Sequence, residues 1–226
     1  MLKIDYLAYN NGLLKTNPVL KAGASIILLL LAVLIEQKIL QSIIILINFI
    51  IVLKFAKIPI HDYIRLYKIP MGFIILGIIA VIMSFRKETI GYLVYFKLFN
   101  SYLGITIDGI STATKILLRS FAAISSTYTL ALTTPINQQV YVLKKLHLPS
   151  SFIEQFILIY RFISLFIKEL ETLATAITLK QGYSNKLIWI KSASILGTAL
   201  FQRIMDSYND YETALELKLF DGEFYY

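Results

Sequence analysis

The sequence of 226 residues contains no cysteine and only two histidines, His61 and His147. Without thiols, the chain can form no disulfide, no iron–sulfur cluster and no thiolate metal site. Neither histidine has another histidine or a pair of carboxylates at ligand spacing, although Asp62 adjoins His61. We therefore interpret both histidines as solvated loop residues and expect no metal or other cofactor in this chain.

The motifs for nucleotide binding and covalent catalysis are also missing. Two stretches have the glycine spacing of a phosphate-binding loop, Gly72 to Gly77 and Gly104 to Gly109, but neither continues with the required Lys-Ser/Thr. No Gly-x-Ser-x-Gly sequence is present either. We therefore expect that the chain is not an enzyme and does not bind ATP by itself.

Apolar residues, in contrast, are more abundant than a soluble domain of this size can bury. They make up 57% of the chain, and the mean hydropathy is +0.69. The formal net charge of +8 comes from 22 basic and 14 acidic side chains, and the basic residues lie between apolar runs, not in one polar patch. This pattern predicts an all-α integral membrane protein in a lipid bilayer, with no nucleic acid as a partner.

Four apolar runs predict membrane-spanning helices. They cover residues 22–35, 39–53, 69–85 and 116–134, and each is slightly shorter than the roughly 20 residues of an upright span. The connection Glu36-Gln37-Lys38 predicts a tight hairpin between the first two helices. Since no small-residue cleavage site follows the first run, we interpret it as a retained membrane anchor.

The distribution of basic residues predicts the orientation in the membrane. The segment before the first run and the loop after the second are more basic than the opposite loops, and basic side chains resist translocation. The more basic side carries Lys3, Lys15, Lys21, Lys54, Lys57, Arg65 and Lys68. We therefore expect a multi-pass protein of the cell membrane with both termini in the cytoplasm.

Two long helices are predicted after Pro135, over residues 151–182 and from about Lys186 to Leu219. The part of the second helix at residues 187–203 is apolar enough to enter the membrane. Its second half carries an acidic and polar face that could not lie in lipid without a high cost. We predict one domain, residues 1–226, with a transmembrane bundle at 1–135 and a region of two long cytoplasmic helices at 136–226.

Two arginines lie near membrane depth. Arg119 either has a functional role, because a charge inside the membrane is costly, or extends to the outer interface, and the sequence favours neither. For Arg161, pairing with Glu154 or with a neighbouring helix is favoured over a functional role.

Four short motifs follow one another in an order that carries a family resemblance. "NPVLKAG" (17–23) is similar to an Asp-Pro-x-x-Lys entry to a first span, and "LALTTP" (130–135) matches a Thr-Thr-Pro stretch at Thr133-Thr134-Pro135. "LPSSFIEQFILIYRFI" (148–163) is similar to a Pro-x-x-x-x-Glu-x-x-x-x-x-Tyr-Arg-Tyr/Phe-Ile helix, and "FDGEF" (220–224) fits as well. Together they resemble the transmembrane T components of energy-coupling factor (ECF) transporters, and among them the cobalt-transport type.

The resemblance implies a scaffold subunit of an ABC-type importer. Such a subunit couples ATP hydrolysis by two partner ATPase subunits to uptake by a substrate-binding membrane subunit, the S component, with cobalt or nickel as the suggested substrate. It also implies an Arg-Gly-containing docking motif at the end of each of two long coupling helices. In this sequence the motifs fall on Lys180-Gln181-Gly182 and on Lys218-Leu219, followed by Phe220-Asp221-Gly222. Lysine replaces arginine in both, which keeps the charge but loses the two-pronged guanidinium.

Each of these interpretations has an alternative. Helix capping could explain Lys180 and Gly182, because a cation offsets the negative end of a helix and glycine commonly follows it. The recurrence of this ending in a chain with the resemblance favours docking. The alternative function is a self-contained secondary transporter or membrane-embedded enzyme with Arg119 and Arg161 lining a site. The sequence shows no internal repeat and no paired carboxylates to support it.

Overall fold

The computed structural model describes residues 3–86, 92–98, 101–182 and 185–217. The described chain is predominantly helical, which confirms the predicted class of helical membrane protein. It forms two compact units, one of residues Ile4–Gln139 and the other mainly of residues from Val140 onward. The assignment of the whole chain to one domain stays a prediction.

The elements follow one another along the chain from a short N-terminal helix to two long helices. They are α1 (Lys3–Tyr9), α2 (Pro18–Leu34), α3 (Lys38–Ile50) with a π-helical turn (Ile51–Phe55), α4 (Ile60–Leu66), α5 (Lys68–Ile82), β1 (Met83–Arg86), β2 (Tyr92–Leu98), β3 (Ser101–Thr106), α6 (Ile107–Thr133), α7 (Ile136–Lys145), α8 (Ser150–Leu179) and α9 (Lys186–Leu217).

The first two predicted spans correspond to α2 and α3. Asn17 caps the N-terminus of α2, because its side-chain oxygen accepts a hydrogen bond from the Val19 amide at 3.0 Å. Pro18 suits the first helical position. The connection between the two helices covers residues 35–37, one residue earlier than predicted. The apolar runs therefore located both helices correctly.

The sequence predicts no strands, yet three follow α5. The predicted span 69–85 is helical only to Ile82, and its last residues belong to β1. The strands form an antiparallel sheet in the order β1-β3-β2. A uniformly apolar run has no periodicity that separates helix from strand, so the end of α5 is not visible in the sequence.

Helix α6 begins nine residues before the predicted start at residue 116. The Thr106 hydroxyl accepts a hydrogen bond from the Gly109 amide at 3.1 Å and so caps the helix. A Cβ atom at Gly109 would lie 3.2 Å from the Ile82 carbonyl oxygen and 3.3 Å from that of Val81. Gly109 therefore permits a close approach to the end of α5, which accounts for this glycine without phosphate binding.

Three helical segments are long and apolar enough to cross a membrane: Lys38–Phe55, Asp108–Thr133 and Ser150–Leu179. Helices α4 and α5 add a fourth if their 45° bend lies within one span, and α2 is a shorter apolar helix. In the second region α8 is long and apolar enough to cross a membrane, and α9 is not among the candidate spans of the described residues. Entry of the segment 187–203 into the membrane stays a prediction.

Helix α6 is the centre of the first unit, since α2, α3 and α5 all pack against it. The fully buried Ala32 and Ala122 allow α2 and α6 to approach closely, and Ile44 of α3 completes this cluster. Buried polar side chains also line α6 and its C-cap, namely Ser125, Ser126, Thr129, Thr133 and Thr134. Several donate to a carbonyl one turn earlier, so these hydroxyls are satisfied within the helix.

Candidate functional site

The two long helices α8 and α9 pack as an antiparallel pair, which we call the coupling pair. Glu169 Oε2 lies 2.7 Å from Arg203 Nη1, and the guanidinium carbon of Arg161 lies 4.6 Å from the centre of the Tyr211 ring. Moving eight residues forward on α8, from Arg161 to Glu169, matches moving eight residues back on α9, from Tyr211 to Arg203. Both contacts therefore belong to one antiparallel register.

Aromatic side chains reinforce this register. Phe162 packs against the rings of Tyr208 and Tyr211, with centroid distances of 6.0 and 5.9 Å. Beside them lies a groove of about 310 Å³, lined by Arg161, Phe162, Leu165, Ser207, Asp210 and Tyr211. The structure thus places Arg161 against a neighbouring helix, which is one of the two structural alternatives that the sequence left open.

Helix α8 ends in a complete capping motif at Lys180-Gln181-Gly182. The Gly182 amide donates to the Ile177 carbonyl at 2.9 Å, and the Gln181 amide donates to that of Thr178 at 3.0 Å. These two bonds are the Schellman arrangement, in which the residue after the cap is left-handed. That residue is Gln181, with φ of 54°. In the helix-capping alternative, Gln181 and not Gly182 therefore takes the left-handed position.

Gly182 has a different reason to be glycine. It is buried, and a Cβ atom there would lie 2.5 Å from Ile177 Cγ2 and 2.7 Å from Ser192 Oγ. A side chain would therefore push the end of α8 away from the first turns of α9. The motif fixes the end of the coupling pair, while the side chains of Lys180 and Gln181 remain exposed.

The second predicted docking motif, Lys218-Leu219 with Phe220-Asp221-Gly222, lies outside the described residues. Helix α9 is described as far as Leu217, which directly precedes Lys218. The role of this motif stays a prediction.

Substitutions of Gln181 and Gly182 should distinguish the left-handed backbone of the first residue from the close packing of the second. Gln181→Gly is expected to stabilise the second unit by up to about 1 kcal/mol, because a left-handed non-glycine residue is strained. Gly182→Ala is expected to destabilise it by roughly 1–2 kcal/mol, since Ile177 and Ser192 must move. Thermal unfolding in detergent, monitored by the circular dichroism signal of the helices, measures the change in stability of both variants. A stabilising Gly182→Ala would contradict the packing described here.

Thr133-Thr134-Pro135 form the junction between α6 and α7. Both threonines are buried, and the Thr134 amide closes α6 on the Leu130 carbonyl at 3.0 Å. The Pro135 carbonyl accepts the amides of the first turn of α7. Lys21 contacts this junction, since its Nζ lies 2.8 Å from the Thr133 carbonyl oxygen. The sequence alone did not predict this contact. Lys21 belongs to the Asn-Pro-x-x-Lys motif, so two motifs far apart in the sequence meet here.

Arg119 lies near the middle of α6. Its Nη1 pairs with Glu36 Oε1 at 3.0 Å, and its Nη2 donates to the Val33 carbonyl. The arginine thus ties α6 to the end of α2. In the part of the chain that the structure describes, no three histidine, aspartate or glutamate side chains are placed to hold a metal ion.

Comparison with known proteins gives one consistent family. The family described as CbiQ, cobalt transport protein, matches residues 10–226. The cobalt transport protein CbiQ of Salmonella typhimurium is 31% identical over 169 residues, 75% of each chain. An uncharacterized protein of Methanocaldococcus jannaschii is 31% identical over 222 residues, which is 97% of this chain and 81% of that one. A putative fused cobalt transport protein CbiMQ of Methanocorpusculum labreanum is 30% identical over 167 residues, 74% of this chain and 28% of the fusion.

Proposed function

Because this chain belongs to the CbiQ family of cobalt transport proteins, and is a membrane transport component, we propose that it is the scaffold subunit of an ECF importer. In this role it couples ATP hydrolysis by two partner ATPase subunits to uptake by a substrate-binding S component. The observation that carries the proposal is the coupling pair, whose capped end presents the exposed Lys180.

The dimensions of the coupling pair support two separate docking points. Lys180 lies at the turn between α8 and α9, whereas Leu217 lies at the far end of α9. With 32 residues, α9 is about 48 Å long at 1.5 Å per residue. One ATPase subunit at each end would therefore be well separated from the other, and both docking ends would belong to one packed helical element.

The contacts inside the pair support transmission of movement. The Glu169–Arg203 ion pair and the Arg161–Tyr211 contact hold one register, so a pull on the Lys180 end displaces both helices together. The S component must bind the displaced and resting positions with different free energies, as in any switch that is driven by a ligand. The distribution of basic residues supports a cytoplasmic location for both docking ends.

The names of the relatives support a metal ion as the transported substrate. The Salmonella relative is named as a cobalt transport protein, and the CbiMQ fusion joins a matching segment to a longer chain. We propose that the substrate of this system is cobalt or nickel, and that its recognition belongs to the S component.

Co-purification with the ATPase subunits tests the proposal. When this chain, carrying a tag, is co-expressed with the two ATPase subunits, both subunits should remain bound to it in mild detergent. The purified complex should hydrolyse ATP, whereas this chain alone should not. The same purification without the tagged chain is the control. Failure to retain any ATPase subunit, or ATP hydrolysis by the isolated chain, would refute the scaffold role. Uptake of cobalt without the ATPase subunits would favour the secondary transporter instead.

A further inference from the structure

Lys21 makes an unusually complete set of hydrogen bonds for a lysine in the first turn of a membrane helix. Its Nζ lies 2.9 Å from the Leu13 carbonyl oxygen, 2.8 Å from that of Thr133 and 2.7 Å from Gln138 Oε1. An ammonium group has three protons and no acceptor. These three contacts therefore use its whole donor capacity.

The three acceptors belong to three different segments of the first unit. Leu13 lies in the loop before α2, Thr133 is the last residue of α6, and Gln138 lies in the first turn of α7. Gln138 also returns to the loop, since its Nε2 donates to the Leu14 carbonyl at 2.8 Å. A single cation thus joins the N-terminal loop to both sides of the α6–α7 junction.

The electrostatics of the position favour a cation. The last carbonyl groups of a helix have no partner within the helix and carry partial negative charge. At the end of α6 they are satisfied by side chains, because Asn11 Nδ2 donates to the Leu132 carbonyl at 3.2 Å and Gln139 Nε2 to that of Thr134 at 2.8 Å. Lys21 supplies the only charge among these donors.

We propose that Lys21 is a positioning residue that holds the start of α7 to the membrane bundle, so that displacement of the following helices is passed to the bundle. Helix α7 directly precedes α8 in the chain. A displacement of α8 therefore reaches the bundle along the backbone through α7, and Lys21 holds the start of that helix. This inference rests on the proposed scaffold function. It assigns to Lys21 a role in coupling that is separate from docking at Lys180.

The test compares cobalt uptake per ATP hydrolysed in the complete complex, reconstituted with its ATPase subunits and S component. Lys21→Met keeps an unbranched side chain as far as the position of the lysine Cε and removes all three hydrogen bonds. We expect it to retain the ATPase subunits but to lower the ratio of uptake to hydrolysis about tenfold. Lys15→Met, the same change at an exposed lysine of the loop before α2, should leave the ratio unchanged.

Two further variants guard against simple misfolding. Lys21→Arg keeps the cation at the end of α6 but cannot direct three protons from one atom, so it should restore part of the ratio. Gln138→Leu removes one acceptor of Lys21, together with the hydrogen bond from Gln138 to the Leu14 carbonyl, and should give an intermediate loss. A normal ratio in Lys21→Met, or equal losses in Lys21→Met and Lys21→Arg, would overturn the inference. If the unaltered chain binds no ATPase subunit, the scaffold function itself fails.

Discussion

A chain that carries Lys180→Glu and Lys218→Glu together is expected to lose its ATPase subunits. If a carboxylate of the ATPase partner pairs with the lysine at each helix end, charge reversal brings like charges together at both contacts. We expect the amount of ATPase that is retained in detergent to fall at least about tenfold, which corresponds to roughly 1.4 kcal/mol. The melting temperature should change only slightly, because Lys180 is exposed and the Schellman bonds of α8 are made by the backbone, and an unfavourable charge at a helix end costs about 0.3–1 kcal/mol.

Two controls make this result specific. Lys168→Glu applies the same charge reversal to an exposed lysine in the middle of α8, and it should leave the association intact. Lys180→Arg with Lys218→Arg should strengthen the association, since a guanidinium can bind a carboxylate through two parallel hydrogen bonds. Unchanged association after both charge reversals would mean that the lysines act only as helix caps.

Hydrophobicity and periodicity predict the helices well but not the sheet. The predicted helix 151–182 is found as α8, with its last three residues in the capping motif, and α9 begins at the predicted Lys186. Both helices are long, and every turn adds to the signal. The strands between α5 and α6 are short and pair across connections whose register the sequence does not specify. The location of α5 is therefore predictable, whereas its end at Ile82 is not.

The candidate site shows the same division between local and tertiary information. The Lys-Gln-Gly ending is visible in the sequence because capping is a local property. That Gly182 packs on Ser192 depends on the antiparallel register of α8 and α9, and the sequence gives no direct signal for that register. Lys21 and Thr133 are separated by more than a hundred residues, so their contact is beyond any local pattern. The two sequence motifs that contain Lys21 and Thr133 were nevertheless recognisable as markers of the family.

The buried Asn48 gives the second large expected effect, because it lies in the interior of the first unit. This side chain of α3 is fully buried. Its Nδ2 donates to the Ile44 carbonyl at 2.9 Å and to Ser126 Oγ at 3.0 Å. No residue that the structure describes donates a hydrogen bond to its Oδ1. With Ser125 Oγ at 3.4 Å, the site offers three acceptors to the amide nitrogen, and the contacts that the structure describes there include no cation to offset an anion.

Asn48→Asp is accordingly expected to destabilise the bundle by roughly 3–5 kcal/mol at neutral pH, the usual cost of an uncompensated buried charge. The change preserves the shape of the side chain, so the loss comes from charge and from the repulsion between the new oxygen and the Ile44 carbonyl. Asn209→Asp makes the identical change at an exposed position of α9 and should shift the melting temperature little.

The pH dependence of unfolding separates charge from packing in this variant. Protonation of the introduced carboxyl removes the buried charge, so the deficit of Asn48→Asp relative to the unaltered chain should shrink as the pH falls. Melting in detergent at several pH values measures this deficit. A deficit that is independent of pH would point to lost hydrogen bonds alone, and a variant as stable as the unaltered chain would mean that Asn48 reaches water.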